Sequence, residues 1–356
     1  MTEVRNDRRE FLKTGLWLAS GAVLTHGMRA FPFLDGAAAQ GSATGVTPAP
    51  FTIFWLTDTQ FLSETNPRLF ARATTWIAKN WSAFNGKLLV HTGDIVQNAL
   101  IPEEWSNADS AMDVLSDGQI PYVWCAGNHD LACDLPSSWI GNQYESFDPQ
   151  TMKNLIAGLD GVKWVGDYDQ GMNTAASLNV DGFPLLIVAV EWLAQNDTFD
   201  WLSDILEDPA YQDHKVIIAT HAYENQAGSL DDPNWGSILG PSTKKLTSIM
   251  DAHASNVILT LNGHFPTEFG YHAPVPVNGR NQLMFDRQES TDDLYFGDSP
   301  PDALKPGGAT ITTLTFHLAA NRLVVRTYDS YLDRFVNNLP DQYSIPLLRK
   351  AWDPAS

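Results

Sequence analysis

The sequence predicts an α/β layered protein built on buried β-sheet, and three observations carry that prediction. Apolar runs of five to seven residues recur along the chain: FTIFWL, KLLVH, PYVWC, PLLIVAV, KVIIAT and VILTL. Each is nearly continuous rather than alternating, as in strands covered on both faces. Segments with helical spacing of apolar residues separate them. Five of the runs lead directly into a short polar motif, the position where open α/β sheets carry their sites.

Taken in order, Phe51–Leu56 reads as a buried strand, Arg68–Lys79 as an amphipathic helix and Lys87–His91 as a second strand. Glu103–Leu115 is helical and Pro121–Cys125 is a third strand, followed by a long irregular stretch. Pro184–Val190 (strand), Phe199–Glu207 (helix), Lys215–Thr220 (strand), Ser242–His253 (helix) and Val257–Leu261 (strand) continue the alternation. The last third changes character. Tyr271–Val277, Gln282–Asp286, Thr310–His317 and Arg322–Tyr328 are strand-like with few helices between them, the last two reading as a hairpin through Asn321. These strands are expected to extend a second sheet rather than form a separate domain. Two loops, Leu131–Gln150 and Ala222–Pro241, exceed the usual length, and long structureless loops are often functional.

The N-terminus is set apart from the fold. Arg8-Arg9 precedes an apolar stretch from Leu16 to Leu24, and the chain then reaches Ala37-Ala38-Ala39. A charged head, a short apolar run and a small-residue cleavage site make a signal peptide, and the arginine pair points to the twin-arginine (Tat) machinery. Residues 1–39 are therefore assigned as a Tat-type signal peptide, 40–50 as a linker, 51–340 as one domain and 341–356 as a C-terminal tail. A periplasmic or extracellular location is the expectation. No other stretch approaches the length of a membrane helix, so no transmembrane segment is expected in the mature chain.

The formal charge of the whole chain is −20. The signal segment carries five Lys/Arg and four Asp/Glu, so its removal leaves −21. Such a surface argues against nucleic acid or anionic lipid as a non-specific partner. Of the two cysteines, Cys125 lies in an apolar run; two free thiols are preferred over a disulfide with Cys133, since nothing in the spacing fixes the geometry.

The strand-end motifs are Asp58-Thr59-Gln60, Gly93-Asp94, Gly127-Asn128-His129-Asp130, His221 and Gly263-His264. Singly, each reads as a helix cap or a satisfied core histidine. Together they supply oxygen and imidazole donors, with glycine letting the backbone bend sharply at three of the turns.

At these residues the chain resembles the calcineurin-like metallophosphoesterase family, whose pattern runs D-x-H, G-D, G-N-H-[DE], a lone His and G-H-x-H. The resemblance covers roughly Phe51 to Tyr331, through phrases such as His91-Thr92-Gly93-Asp94 and Tyr328-Asp329-Ser330-Tyr331. It looks like a secreted bacterial branch in which D-x-Q replaces D-x-H. It implies a four-layer α/β-β/α sandwich with two mixed β-sheets and a two-metal centre between them. Two cations sharing a carboxylate and a hydroxide clamp both oxygens of an in-line displacement. Carried over by position, Asp94 bridges the metals, Asn128, His221 and His264 complete one site, and Asp58 holds the other. His129 protonates or polarises the leaving oxygen with Asp130 orienting its ring; a purely structural hydrogen bond is the other reading of His129.

Two positions depart from the family. Gln60 offers an amide oxygen where the pattern has an imidazole, and Gly263-His264-Phe265-Pro266 puts proline where the second histidine belongs. The expectation is a centre for Mn, Fe, Zn or Mg with one firm site and one weaker, oxygen-rich site that favours Mn or Mg. Glu268 or His272 is within reach of the missing ligand's place, though each reads better as an ordinary strand residue. Glu191 is either a support for the centre or a surface carboxylate at a strand–helix junction, and Trp139 and Trp235 in the long loops are candidates to touch a substrate's leaving group. Asn98 is expected to brace the Asp94 turn. The expected activity is hydrolysis of phosphate mono- or diesters by a metal-activated hydroxide. The substrate is a small organic phosphate or a lipid head group, and nucleic acid is not expected. The alternatives are a degenerate member that binds metal or phosphate without efficient turnover, and a structural scaffold.

Overall fold

The computed structural model of the chain describes residues 49–132, 138–225, 228–230, 236–266, 275–287, 309–336 and 342–348. In chain order the strands are β1 (Phe51–Leu56), β2 (Gly86–His91), β3 (Tyr122–Trp124), β4 (Val162–Tyr168), β5 (Asn173–Val180), β6 (Phe183–Val190) and β7 (Lys215–Thr220). They continue with β8 (Val257–Asn262), β9 (Val275–Val277), β10 (Arg280–Met284), β11 (Thr310–His317), β12 (Arg322–Asp329), β13 (Arg334–Phe335) and β14 (Gln342–Pro346). The helices are α1 (Gln60–Thr65), α2 (Pro67–Asn80), α3 (Pro102–Asp117), α4 (Pro149–Ala157), α5 (Asn196–Glu207) and α6 (Gly236–Ala252).

The strands form two mixed, seven-stranded sheets. One runs β13-β12-β11-β1-β2-β3, with β14 also paired to β12; the other runs β4-β5-β6-β7-β8-β10-β9. Each has a parallel heart, β1-β2-β3 and β6-β7-β8-β10, flanked by antiparallel strands. Side chains of β6 show how the layers stack. Leu185, Ile187 and Ala189 join a core shared with Phe51, Ile53, Leu314 and Phe316 of the other sheet. Leu186, Val188 and Val190 face the opposite way and pack with Phe199 and Leu202 of α5 and Leu246 and Met250 of α6. A strand apolar at every position is therefore buried on both faces, which explains the continuous runs. On the first sheet's outer side, Phe70 and Ile77 of α2 and Trp105 and Met112 of α3 fill the corresponding layer. The order is helix, sheet, sheet, helix.

Two parts of the expectation change. The stretch after β3 is not irregular: it contains α4, β4 and β5. Their pattern is weak because β4 is a half-exposed edge strand and β5 (NTAASLNV) is built mostly of small and polar residues. Residues 342–346, assigned to a C-terminal tail, form β14 and pair antiparallel with β12 from Arg322↔Pro346 to Arg326↔Gln342. The residues expected as a signal peptide lie outside those described, as does Cys133. Cys125 is buried with a free thiol. Among the described residues no helix is long and apolar enough to cross a membrane.

Candidate metal centre

The five motifs emerge at the C-terminal ends of the parallel strands β1, β2, β3, β7 and β8, so two sheets deliver them to one place. The turns are tight enough to need unusual backbone. Asp58 (φ 51°), Asp94 (φ 52°) and His264 (φ 72°) all sit in the left-handed region, as does Gly93 (φ 90°). Non-glycine residues held there cost of order 1–3 kcal/mol each and cluster at sites where geometry matters more than relaxation. Glycine is required beside them. A Cβ on Gly127 would stand 2.2 Å from Asp94 Oδ1, and one on Gly263 would stand 2.0 Å from Asp58 Oδ2.

Four donor atoms converge between the sheets. His221 Nε2 lies 2.9 Å from Asn128 Oδ1, 3.1 Å from His264 Nδ1 and 3.2 Å from Asp94 Oδ1. His264 Nδ1 lies 3.0 Å from the same Asn128 oxygen. Atoms bound to one cation at about 2.1 Å stand about 3.0 Å apart on the cis edges of an octahedron and about 3.4 Å apart in a tetrahedron. The observed spacings match such a shell. His221 Nδ1 lies 2.9 Å from the Thr92 carbonyl, which only accepts, so this nitrogen carries a proton, and loss of the proton on Nε2 leaves a lone pair there that faces inward. Asn128 Oδ1 brings no proton to the meeting point. This convergence of lone pairs is what a cation relieves, so the residues present fit a metal ion.

Asp94 faces two ways. Oδ1 accepts from His129 N (2.9 Å) beside His221, while Oδ2 accepts from Gln60 Nε2 (3.1 Å). Asp58 reaches the same region from β1, its carboxylate accepting the His264 amide at 3.1 and 3.2 Å and the Thr57 hydroxyl. Further cross-links fix the turns: Asp58 N donates to Gly93 O (3.1 Å) and Gly263 N to His221 O (3.0 Å).

Electrostatics without a cation are those of a buried, self-neutralising cluster. Burial acts against the His221 imidazolium, but the Asp94 carboxylate beside it outweighs that and raises its pKa to about 9. Burial pushes the Asp58 carboxyl up to about 7, and burial together with the His221 charge holds His264 down at about 3. Burial opposes ionisation of Asp94 as well, yet the neighbouring His221 keeps it well below the usual carboxylate range.

The roles of His129 and Asp130 need revision. His129 Nδ1 lies 2.9 Å from the Gln97 carbonyl, so that oxygen, not Asp130, orients the ring. Since a carbonyl only accepts, Nδ1 carries the proton and Nε2 is the nitrogen available for chemistry. Asp130 is fully buried and accepts three main-chain N–H groups, Ile95 (2.7 Å), Val96 (3.0 Å) and Gly127 (2.8 Å). It staples the Asp94 turn to the Asn128 turn. Both of its oxygens are taken by amides, which leaves no geometry for holding an imidazole.

Other candidates separate cleanly. Glu191 is buried rather than a surface carboxylate; Oε1 accepts from Thr198 (2.7 Å), and burial raises its pKa to about 7. Trp139 is core, packed edge-on to Trp105 at 5.3 Å, not a substrate contact. Asn98 does not brace the Asp94 turn; its side chain accepts from Leu100 N. Trp235, Glu268 and His272 lie outside the described residues.

Three groups escaped the sequence reading. His91 accepts from Gly93 N (3.2 Å) through Nδ1, with Nε2 3.0 Å from Thr59 Oγ1, tying two ligand turns together; burial keeps it neutral, with a pKa near 3. The Trp192 ring lies 4.5 Å from that of His264, and its position two residues past the end of β6 was a usable signal. The Gln97 carbonyl belongs to the main chain and gives no sequence signal at all.

Residues 51–264 match the sequence profile described as calcineurin-like phosphoesterase. A relative from Bacillus subtilis (strain 168), the uncharacterised protein YvnB, is 26% identical over 294 residues, 79% of this chain. The chain spans only 20% of that relative's length. Among solved structures, the purple acid phosphatase PPD1 from yellow lupin (Lupinus luteus) shares the fold, with a TM-score of 0.51 at 13% identity. That likeness covers 84% of this chain and 54% of the lupin protein.

Proposed function

Because the chain belongs to the calcineurin-like phosphoesterase family, we propose that it hydrolyses phosphate mono- or diesters at the centre formed by Asp58, Asp94, Asn128, His221 and His264. The observation that carries this reading is the mutual 2.9–3.1 Å approach of the Asn128, His221 and His264 donor atoms, with Asp94 Oδ1 3.2 Å from His221 Nε2. When bound, divalent cations supply Lewis-acid charge for the phosphoryl oxygens and acidify the attacking water. The chain's own residues do the rest. Asp94 presents one oxygen to each half of the centre, and the Asn128 and His129 turn is pinned to it. With Nδ1–H given to the Gln97 carbonyl, the doubly protonated ring of His129 passes its Nε2 proton to the leaving oxygen and is left as the neutral Nδ1–H tautomer.

The centre is proposed to be asymmetric. Four donors meet around His221, whereas on the other side Asp58 stands with Gln60, whose amide N–H is engaged by Asp94 Oδ2, and Pro266 brings no ligating group. One metal is expected to be held firmly and one weakly, of the Mn, Fe, Zn or Mg type. Elemental analysis after dialysis tests this: about one equivalent should survive, and two retained with equal affinity would overturn it.

The substrate is proposed to be a small phosphorylated molecule or a lipid head group rather than nucleic acid, in keeping with the charge of −20. Export by the Tat machinery is proposed from Arg8-Arg9 and the apolar run that follows; N-terminal sequencing of protein from the periplasm or medium should begin after Ala39. Turnover of 4-nitrophenyl phosphate and its bis ester, with and without Mn²⁺, separates an enzyme from a member that binds without reaction. No metal-dependent turnover of any ester in a broad panel would favour the latter.

A further inference from the structure

We propose that Glu104 is a positioning residue for His129, acting through a single peptide plane; this rests on the reading of His129 as the proton donor to the leaving group. Glu104 is the third residue of α3, where a carboxylate ordinarily turns back to the amide that opens its own helix. Here it does not. The residue preceding the helix, Ile101, makes no side-chain cap, and its amide is taken by the Asn98 carbonyl at 3.0 Å. The Glu104 carboxylate instead reaches into the turn that follows Asp94, where Oε2 accepts from both Gln97 N and Asn98 N at 2.8 Å. It does so from a buried position, 7% exposed.

The Asn98 N–H and the Gln97 C=O are the two ends of one peptide group. That group is planar and its N–H and C=O point in opposite directions. A carboxylate gripping the N–H end therefore fixes the direction of the carbonyl at the other end. That carbonyl is the one 2.9 Å from His129 Nδ1. The chain of contacts runs Glu104 Oε2, Asn98 N–H, Gln97 C=O, His129 Nδ1–H, and each link is within hydrogen-bond distance. The charge adds to the geometry, because a carboxylate at the donor end polarises the peptide and strengthens its oxygen as an acceptor. A carboxylate thus supports the imidazole without touching it. Asp130, adjacent in sequence, is excluded from that task by its three amide contacts.

A general acid matters more as the leaving alcohol becomes more basic, and this separates a role in proton delivery from a role in folding. The experiment compares phenyl and 4-nitrophenyl esters, of the mono- or diester series that the Mn²⁺-loaded full chain turns over. Glu104→Ala is expected to lower turnover of the phenyl ester by about 10-fold and of the 4-nitrophenyl ester by less than about 3-fold. Glu104→Gln keeps an acceptor oxygen and should recover most of the loss. His129→Ala should show the same preference more strongly, and the double variant should lose no more than His129→Ala alone. A second readout needs no metal: in ¹⁵N spectra of the metal-free protein, His129 should populate the Nδ1–H tautomer, and Glu104→Ala should mix the two. Equal loss on both esters, additivity with His129→Ala, or an unmoved His129 tautomer would each overturn the proposal. If His129→Ala itself slows both esters equally, the proton-donor reading fails, and the tautomer alone then decides whether Glu104 orients the ring.

Discussion

Replacing Gly263 by alanine adds one methyl group at the most crowded point of the centre. An ideal Cβ there would stand 2.0 Å from Asp58 Oδ2, 2.2 Å from Thr57 Oγ1 and 3.1 Å from Asp58 Cγ. Ordinary contact begins near 3.4 Å, so the carboxylate must retreat by more than 1 Å or the turn must open. Gly263 is not among the residues with positive φ, so alanine suits its backbone and the penalty is steric. Overpacking of this kind costs about 1–3 kcal/mol in stability, whereas a catalytic group displaced by about 1 Å costs on the order of 10²-fold in rate. Gly263→Ala should therefore fold, melt at a modestly lower temperature, and lose about 100-fold in turnover together with its weaker metal. Gly158→Ala serves as the control: it caps α4 with φ −89°, its Cβ would make only an ordinary 3.5 Å contact with the Leu155 carbonyl, and the change should be silent or slightly stabilising. The assays are thermal melting by circular dichroism, metal content after dialysis and hydrolysis of a 4-nitrophenyl ester. Wild-type metal retention and turnover in Gly263→Ala would refute the argument that Asp58 must sit where the structure places it.

Three further outcomes follow from named contacts. With the pKa of His221 raised to about 9 in the metal-free centre, a metal must displace its proton below that pH. Affinity should therefore rise with pH up to about 9, with proton release visible as buffer-dependent heat in titration calorimetry, and His221→Ala should abolish firm retention. Burial moves Glu191 from 4.5 to about 7, so the folded chain holds a proton there that the unfolded chain releases above pH 4.5. Stability should fall as pH rises through that window by about 3 kcal/mol; Glu191→Gln, which can still accept from Thr198, should be the more stable protein at pH 8 and equal to wild type at pH 4, as measured by urea unfolding. Asp130→Asn turns an N–H donor toward main-chain amides, and should cost roughly 2–3 kcal/mol by the same unfolding measurement while leaving the His129 tautomer governed by Gln97.

Much of the centre was legible in the linear chain because its chemistry is local. A continuous apolar strand such as KVIIAT must be buried on both faces, and the residue that ends it, His221, is delivered to the edge of the sheet. Repeated five times, with glycine at the turns, this rule located every donor that the structure brings together, and β1, β7 and β11 begin and end where their sequences say. Edges resisted the same logic. β4 and β14 are partly exposed and carry mixed patterns, and β5 carries alanine, serine and asparagine in place of a continuous bulky run.

What only the tertiary structure decided is which atom each polar group meets. Asp130 follows His129 in sequence, and adjacency suggested a dyad, yet its oxygens are consumed by the amides of Ile95 and Val96, 35 and 34 residues away, and of Gly127, three residues away. The ring finds a main-chain carbonyl instead, and main-chain groups are the same in every residue. The sequence by itself determined the parallel strands that carry the site, the donor set and the missing histidines at Gln60 and Pro266. The direction of each lone pair, the tautomers of His221 and His129, and the role of Glu104 depend on hydrogen bonds between turns that only folding brings together.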